Sequence, residues 1–260
     1  MEAVPLDDRG LLLGDGLFET LLWSGGDLIL GEDHARRMIR GAGVLGLPAP
    51  ALDDILAVAR AAVADAGLTD ARAAVRVTLT AGSGGRGLDR PADLLPRLFA
   101  TAASSVRPTA PAVLVIAGHR RNAASPTSRL KTLAYLDNVL ARREALAAGA
   151  DEAVVLNTDG HLAGSAAANL FWIEGEALVT PPLEAGCLDG ILRAAVLAAA
   201  VKFGVPARES LAGPDALAAA DAVFLANSLI GVRPVRRLGQ RDYAPHALVD
   251  RLAGAVAVVS

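Results

Sequence analysis

The sequence predicts a mixed α/β protein in two domains, and three observations carry that expectation. Residues 74–80 alternate as a half-buried strand, with Val75, Val77 and Leu79 on one face and Arg76, Thr78 and Thr80 on the other. Leu52, Ile55, Leu56 and Ala59 recur at the spacing of a helix face, and the two kinds of pattern interleave along the chain. A polar, glycine- and proline-punctuated stretch at 118–127 then interrupts them. It divides the chain into an N-terminal α/β domain (1–117), a linker (118–127) and a C-terminal domain (128–260).

In chain order, Gly14-Asp15-Gly16 punctuates the start and residues 17–22 follow as a short strand. Ser24-Gly25-Gly26-Asp27 is a hairpin signal leading into 28–30. Asp33 is expected to cap a helix that runs to Leu45 and carries His34, Arg36, Arg37 and Arg40. A second helix spans 52–66, with Gly67 as its stop. After the strand at 74–80 comes Gly82-Ser83-Gly84-Gly85-Arg86-Gly87. That loop is either a turn or a set of backbone N–H groups and one guanidinium brought near an anion. It opens no helix, so it is neither a nucleotide-triphosphate loop nor a dinucleotide fingerprint.

Residues 98–102 and 112–117 read as two more strands. Past the linker, Leu136, Val139, Leu140 and Leu146 suggest a helix ending at Gly149. Strands are expected at 152–157, 170–174 and 177–180, and a helix at 190–203. The end alternates again: helix 215–220, strand 222–226, a turn at Asn227-Ser228, and a last helix from about Pro245.

Composition excludes several classes of function. Hydrophobic residues make up 53% of the chain, yet no run reaches the ~18 residues of a membrane span. Residues 1–10 carry acids and no apolar core, unlike a signal peptide. A single cysteine, Cys187, fits a reducing cytoplasm. The net charge of −3 and 3% aromatic content give no nucleic-acid footprint. His119, His161 and His246 are scattered, so no metal site is expected. The expectation is a soluble cytoplasmic protein.

Lysine usage singles out one residue. Of 25 basic residues only Lys131 and Lys202 are lysine. A lysine kept in so arginine-rich a chain points to an amine that must lose its proton and attack a carbonyl. Lys202 sits before Gly204 at the end of an apolar run, where a cation suits a helix C-terminus. Lys131 has no such account, although composition alone leaves a surface cation equally open.

Several motifs occur together and in order: Asp8-Arg9-Gly10, Gly14-Asp15-Gly16-Leu17-Phe18-Glu19, His34-Ala35-Arg36-Arg37, the 82–87 glycine loop, and Lys131-Thr132-Leu133-Ala134-Tyr135. Further along come Glu144-Ala145, Gly149-Ala150-Asp151-Glu152-Ala153, Ala168-Asn169-Leu170-Phe171, Leu188-Asp189-Gly190-Ile191-Leu192-Arg193, and Asn227-Ser228 with Val232-Arg233-Pro234. In these stretches the chain resembles the fold-type IV, or class IV, pyridoxal-phosphate (PLP) enzymes. That family includes branched-chain and D-amino-acid aminotransferases and 4-amino-4-deoxychorismate lyase. The resemblance implies a smaller N-terminal α/β sandwich, a larger C-terminal pseudo-barrel that binds the cofactor, and a homodimer.

The resemblance also implies roles. Lys131 would join the cofactor aldehyde as a Schiff base and later move the Cα proton. Arg37 would grip the cofactor phosphate, with backbone N–H groups of Ile191 and Leu192 at a helix start, and Asn227 and Ser228 at a second turn. Tyr135 would hydrogen-bond the ring hydroxyl. Each has a bland reading on pattern alone: a helix-face arginine, ordinary turn residues, a half-buried tyrosine. Arg86 is the candidate contact to a substrate carboxylate, with Thr20 or Arg76 lining the same pocket.

Two departures stand out. The family usually carries, five residues before this asparagine, a glutamate that pairs with the pyridine nitrogen; here that position is Gly164. Ser165 could hydrogen-bond the nitrogen but could not neutralise a pyridinium. Three outcomes stay open: an unprotonated ring, a carboxylate from elsewhere, or a catalytically weakened PLP-binding homologue. The other departure is that Asp8 comes early, so the family's opening strand is expected to be missing. Among the reactions, Arg86 in its glycine loop, the short chain and Leu192 favour the lyase. Tyr135 looks more like the branched-chain aminotransferases. A weaker electron sink should also hurt a lyase less than a transaminase, which must run its cycle in both directions.

Overall fold

The computed structural model describes residues 3–256. It divides into two units. The first holds the chain up to Val106 together with Leu130–Ala134; the second holds Arg107–Arg129 and the chain from Tyr135 onward.

The first unit is a two-layer α/β sandwich. A one-turn helix, α1 (Arg9–Leu13), precedes β1 (Gly16–Ser24) and β2 (Asp27–Ile29). Helices α2 (Gly31–Leu45) and α3 (Leu52–Asp65) follow, then β3 (Ala73–Thr80) and β4 (Arg97–Ser104). The strands form one antiparallel sheet in the order β2-β1-β3-β4. Its odd-numbered side chains, Leu17, Leu21 and Trp23 from β1 with Val75, Val77 and Leu79 from β3, join Met38, Ile55, Ala59 and Val63 of the helices in one core. Strand period and helix period thus meet on a single apolar layer.

Asp33 does not cap α2. Leu30, at φ 52, takes that place without a side-chain hydrogen bond, because the chain turns from β2 into the helix within one residue. Asp33 lies instead in the first turn beside Glu32, where negative charge still suits the positive end of the helix dipole.

The second unit is built on a nine-stranded sheet, ordered β10-β9-β8-β11-β12-β5-β6-β7 with β13 beside β12. Its strands are β5 (Ala112–Arg121), β6 (Glu152–Asn157), β7 (Leu162–Ser165), β8 (Asn169–Glu174), β9 (Ala177–Thr180), β10 (Ala207–Glu209), β11 (Ala222–Asn227), β12 (Gly231–Leu238) and β13 (Arg241–Asp242). Leu162 of β7 shares a core with Leu170 and Trp172 of β8, from near the other end of that order, so the sheet curls into a half-barrel. Helices α4 (Leu136–Ala147), α5 (Ile191–Lys202), α6 (Asp215–Ala219) and α7 (Ala247–Val256) complete the unit.

Two further expectations differ from what is observed. Residues 112–121 form one continuous strand running parallel to β6 and β12, so both the strand and the first part of the expected linker belong to the second unit. A strand's own alternation does not name its partner; pairing is a non-local choice. On α4, Leu136, Val139, Leu140 and Leu146 are exposed, and the helix packs through Ala141 and Ala145 against Val113, Ala117, Ala153 and Val155. The small face lets helix and sheet approach closely, and the larger side chains point away.

Candidate functional site

Lys131 is carried by a short extended segment that belongs to the first unit. Because β2 is brief, residues 16–18 of β1 have a free edge, and Leu130–Ala134 fills it. Phe18 N–H donates to Lys131 O (2.8 Å) and Leu133 N–H to Gly16 O (3.0 Å). Lys131 Nζ then lies 4.1 Å from the centre of the Phe18 ring, with the Arg76 guanidinium 3.7 Å from the same centre. Burial pushes the amine down to about 8; Glu19 opposes the shift, and Arg37 and Arg76 add to it.

Glu19 sits in the sequence as a lone carboxylate between Leu17 and Leu21, on the core face of β1. Two residues of α2 meet it there. Arg37 donates from Nε to Oε1 (2.7 Å) and from Nη2 to Oε2 (2.6 Å), a two-pronged fork. His34 Nδ1 lies 2.7 Å from Oε2. Burial alone would raise this acid, but the Arg37 pair and the His34 bond hold it down at about 2. The phosphate-grip candidate therefore stands beside a fixed carboxylate that orients it. Thr20 and Arg76 face each other directly across β1 and β3.

Arg86 belongs to the glycine loop that follows β3. It is exposed, in a turn closed by reciprocal backbone bonds with Asp89. The arginine that organises the loop is Arg9, which donates to Leu88 O (3.0 Å) and Asp89 O (3.0 Å) and pairs with Asp15 (2.9 Å). Arg90 pairs with the same Asp15.

The second unit carries the other candidates. Helix α5 starts at Gly190 with no side-chain cap and no acid in its first turn, leaving the Ile191 and Leu192 end open to an anion. The approach is tight, since a Cβ on Gly190 would stand 1.9 Å from Asn169 Oδ1. Asn227 is committed to the framework: its Oδ1 accepts from the N–H groups of Leu229 and Ile230, and its Nδ2 donates to Ala167 O. Ser228 follows it in the same turn, half-buried. Tyr135 stands at the start of α4, also half-buried.

Gly164 has φ +106, and a Cβ there would touch only Ala168 O, at 3.4 Å. Ser165 is locked into its own turn, donating to Ala168 O (3.0 Å) and accepting from Ala168 N–H (3.0 Å). Glu19, His34, Arg9 and the half-buried Arg121 carry no role in the sequence pattern. The charged residue on the apolar face of β1 was a legible signal for the first; Arg121 had none.

The PLP implied by the motifs can be compared with the residues of each unit taken by itself. The first has a half-buried lysine amine of lowered basicity and an oriented guanidinium. The second supplies an uncapped helix start suited to a phosphate. Among the described residues no group of histidine, cysteine or acidic side chains could hold a metal ion, and no helix is long and apolar enough to cross a membrane.

Comparison with known proteins agrees with these features. Aminodeoxychorismate lyase of Vibrio harveyi is 29% identical over 271 residues, covering 96% of this chain and 94% of that protein. A solved Legionella pneumophila structure, provisionally named 4-amino-4-deoxychorismate lyase, is 31% identical over 97% of this chain and 93% of its own, with a TM-score of 0.91. A branched-chain aminotransferase of Thermoproteus uzoniensis, solved with norvaline, is 25% identical over 98% of this chain and 88% of its own, with a TM-score of 0.90. The family model for class IV amino-transferases matches residues 16–238, and with it the fold-type IV architecture: the chain belongs to the class IV aminotransferase family.

Proposed function

We propose that this enzyme is a PLP-dependent aminodeoxychorismate lyase, acting by β-elimination to give 4-aminobenzoate and pyruvate. The observation that carries the reading is Lys131, a half-buried amine brought down to about 8 on a segment anchored to β1. When bound, PLP supplies an aldehyde for the substrate amine and a ring that draws electron density from the bond broken at Cα. The residues do the rest. At pH 7 a group titrating near 8 is neutral roughly one time in ten, which makes Lys131 Nζ competent both to attack a carbonyl and to take the proton from substrate Cα. Arg37, held by Glu19, grips the phosphate, with the α5 start and Ser228 on the second unit. Tyr135 is assigned to the ring hydroxyl. Thr20, Arg76 and, from its exposed turn, Arg86 are the substrate-facing candidates.

The named relatives support the lyase, and the glycine at 164 supports it independently. A reaction that consumes the Cα carbon's electrons by expelling a leaving group asks less of the ring than one that returns through it. A branched-chain or D-amino-acid aminotransferase is the second reading, favoured by Tyr135 and by the full-length likeness to the Thermoproteus enzyme. A homodimer belongs to the proposal through the resemblance, and the exposed apolar side of α4 is compatible with it.

Single-turnover assays separate the two activities. Release of 4-aminobenzoate from aminodeoxychorismate, with slow or no conversion of the cofactor by amino-acid donors, is the expected result. Fast conversion to the pyridoxamine form by an amino acid would replace the lyase reading with the transaminase. Loss of a borohydride-reducible visible absorbance in Lys131→Ala tests the covalent attachment on which both depend.

A further inference from the structure

Arg121 is a half-buried cation whose hydrogen bonds go to backbone carbonyls. It ends β5, and its Nη1 donates to the carbonyl oxygens of Ala163 (2.8 Å) and Gly186 (3.3 Å). Among the described residues no carboxylate pairs with it. Burial pushes the guanidinium below its ordinary value, and only the Tyr135 phenol, the Cys187 thiol and Asp137 oppose this, through space. A guanidinium has more donors than two carbonyls use, so donor capacity is left over.

Its location gives that capacity a use. The nearer acceptor belongs to Ala163, the residue before Gly164, and Gly164 offers no side chain at the position where the family resemblance puts the group facing the ring nitrogen. Ser165 cannot stand in, because its one hydroxyl proton is already given to Ala168 O. Glu152, the buried carboxylate of the neighbouring strand, is engaged by the backbone N–H groups of Ala153, Ala166 and Ala167. The second carbonyl that Arg121 reaches, Gly186 O, belongs to the turn that leads into Cys187 and the start of α5.

We propose that Arg121 faces the ring nitrogen of bound PLP and donates a hydrogen bond to it, so that this enzyme works with an unprotonated pyridine. The proposal rests on the PLP reading above. A guanidinium holds its proton far more tightly than a pyridinium does, so it donates without transferring. The same stretch of β7 that in relatives carries an acid would here leave the nitrogen lone pair to a cation.

The test reads the ring nitrogen directly. Wild-type protein loaded with PLP labelled with nitrogen-15 in the ring should give the chemical shift of a neutral, hydrogen-bonded pyridine throughout the neutral pH range. The wild type should also bind PLP about tenfold more tightly than the 1-deaza analogue, which has C–H in place of that nitrogen. Arg121→Met should erase this preference, and Arg121→Lys should keep part of it. A pyridinium shift, or equal binding of the two cofactors by the wild type, overturns the proposal and points to a carboxylate such as Glu152. If Arg121→Met fails to fold, the two wild-type measurements decide alone. Absence of any Lys131 adduct would sink the PLP reading itself; an adduct with a protonated nitrogen would sink only the role of Arg121.

Discussion

Glu19 keeps its charge on the core face of a strand because two residues of α2 come to meet it. Its carboxyl is held near 2 against an ordinary 4.5, so its contribution to stability is fully present above about pH 4.5 and is lost as the pH falls toward 2. Glu19→Gln should therefore lower the melting temperature most at neutral pH, with the gap to wild type closing in acid. The expected cost is about 3 kcal/mol, since Arg37 is left without its partner in a buried place. The substitution should also reach Lys131, whose amine Glu19 holds up. Reaction of Lys131 with an amine-labelling reagent, read against a Lys131→Met background, should be half-maximal near pH 8 rather than near 10.5 in the wild type. In Glu19→Gln that midpoint should move lower still.

Among the elements, α5 is the most exposed to a small change. A methyl group on Gly190 would be driven into Asn169 Oδ1, which belongs to the side chain whose Nδ2 donates to Leu188 O (2.8 Å). Gly190→Ala should cost about 1–3 kcal/mol in denaturant unfolding and weaken binding of inorganic phosphate, followed by calorimetry. Part of the fold is legible in the sequence: β3 and α3 announce themselves by clean periods. Elements that failed to do so have physical reasons. In β12 the buried residues are Val232, Val235 and Leu238, three apart, because the register shifts between Val235 and Arg237 and a bulge destroys the alternation. On α4 the larger apolar residues marked the outer side, since alanines did the packing. Composition and motif single out Lys131, whereas nothing in the sequence pattern singles out Arg121, whose candidacy depends on what surrounds it in space.

At the scale of the whole chain, sequence order and structural membership part company. Lys131 lies beyond the point where the second unit begins, yet its segment is part of the first. No local pattern could have disclosed this, because an edge pairing depends on β2 ending early. The arrangement amounts to a natural donor strand. A fragment ending at Val106 would present the bare backbone of residues 16–18 to any extended peptide and should aggregate when expressed alone. Supplying a synthetic peptide of residues 128–136 should restore solubility, and a version with proline at Leu133, which removes the N–H given to Gly16, should not. The first unit, in other words, is a receptor for the very strand that bears Lys131, so the order in which the gene spells the molecule obliges that amine to arrive after the rest of its unit.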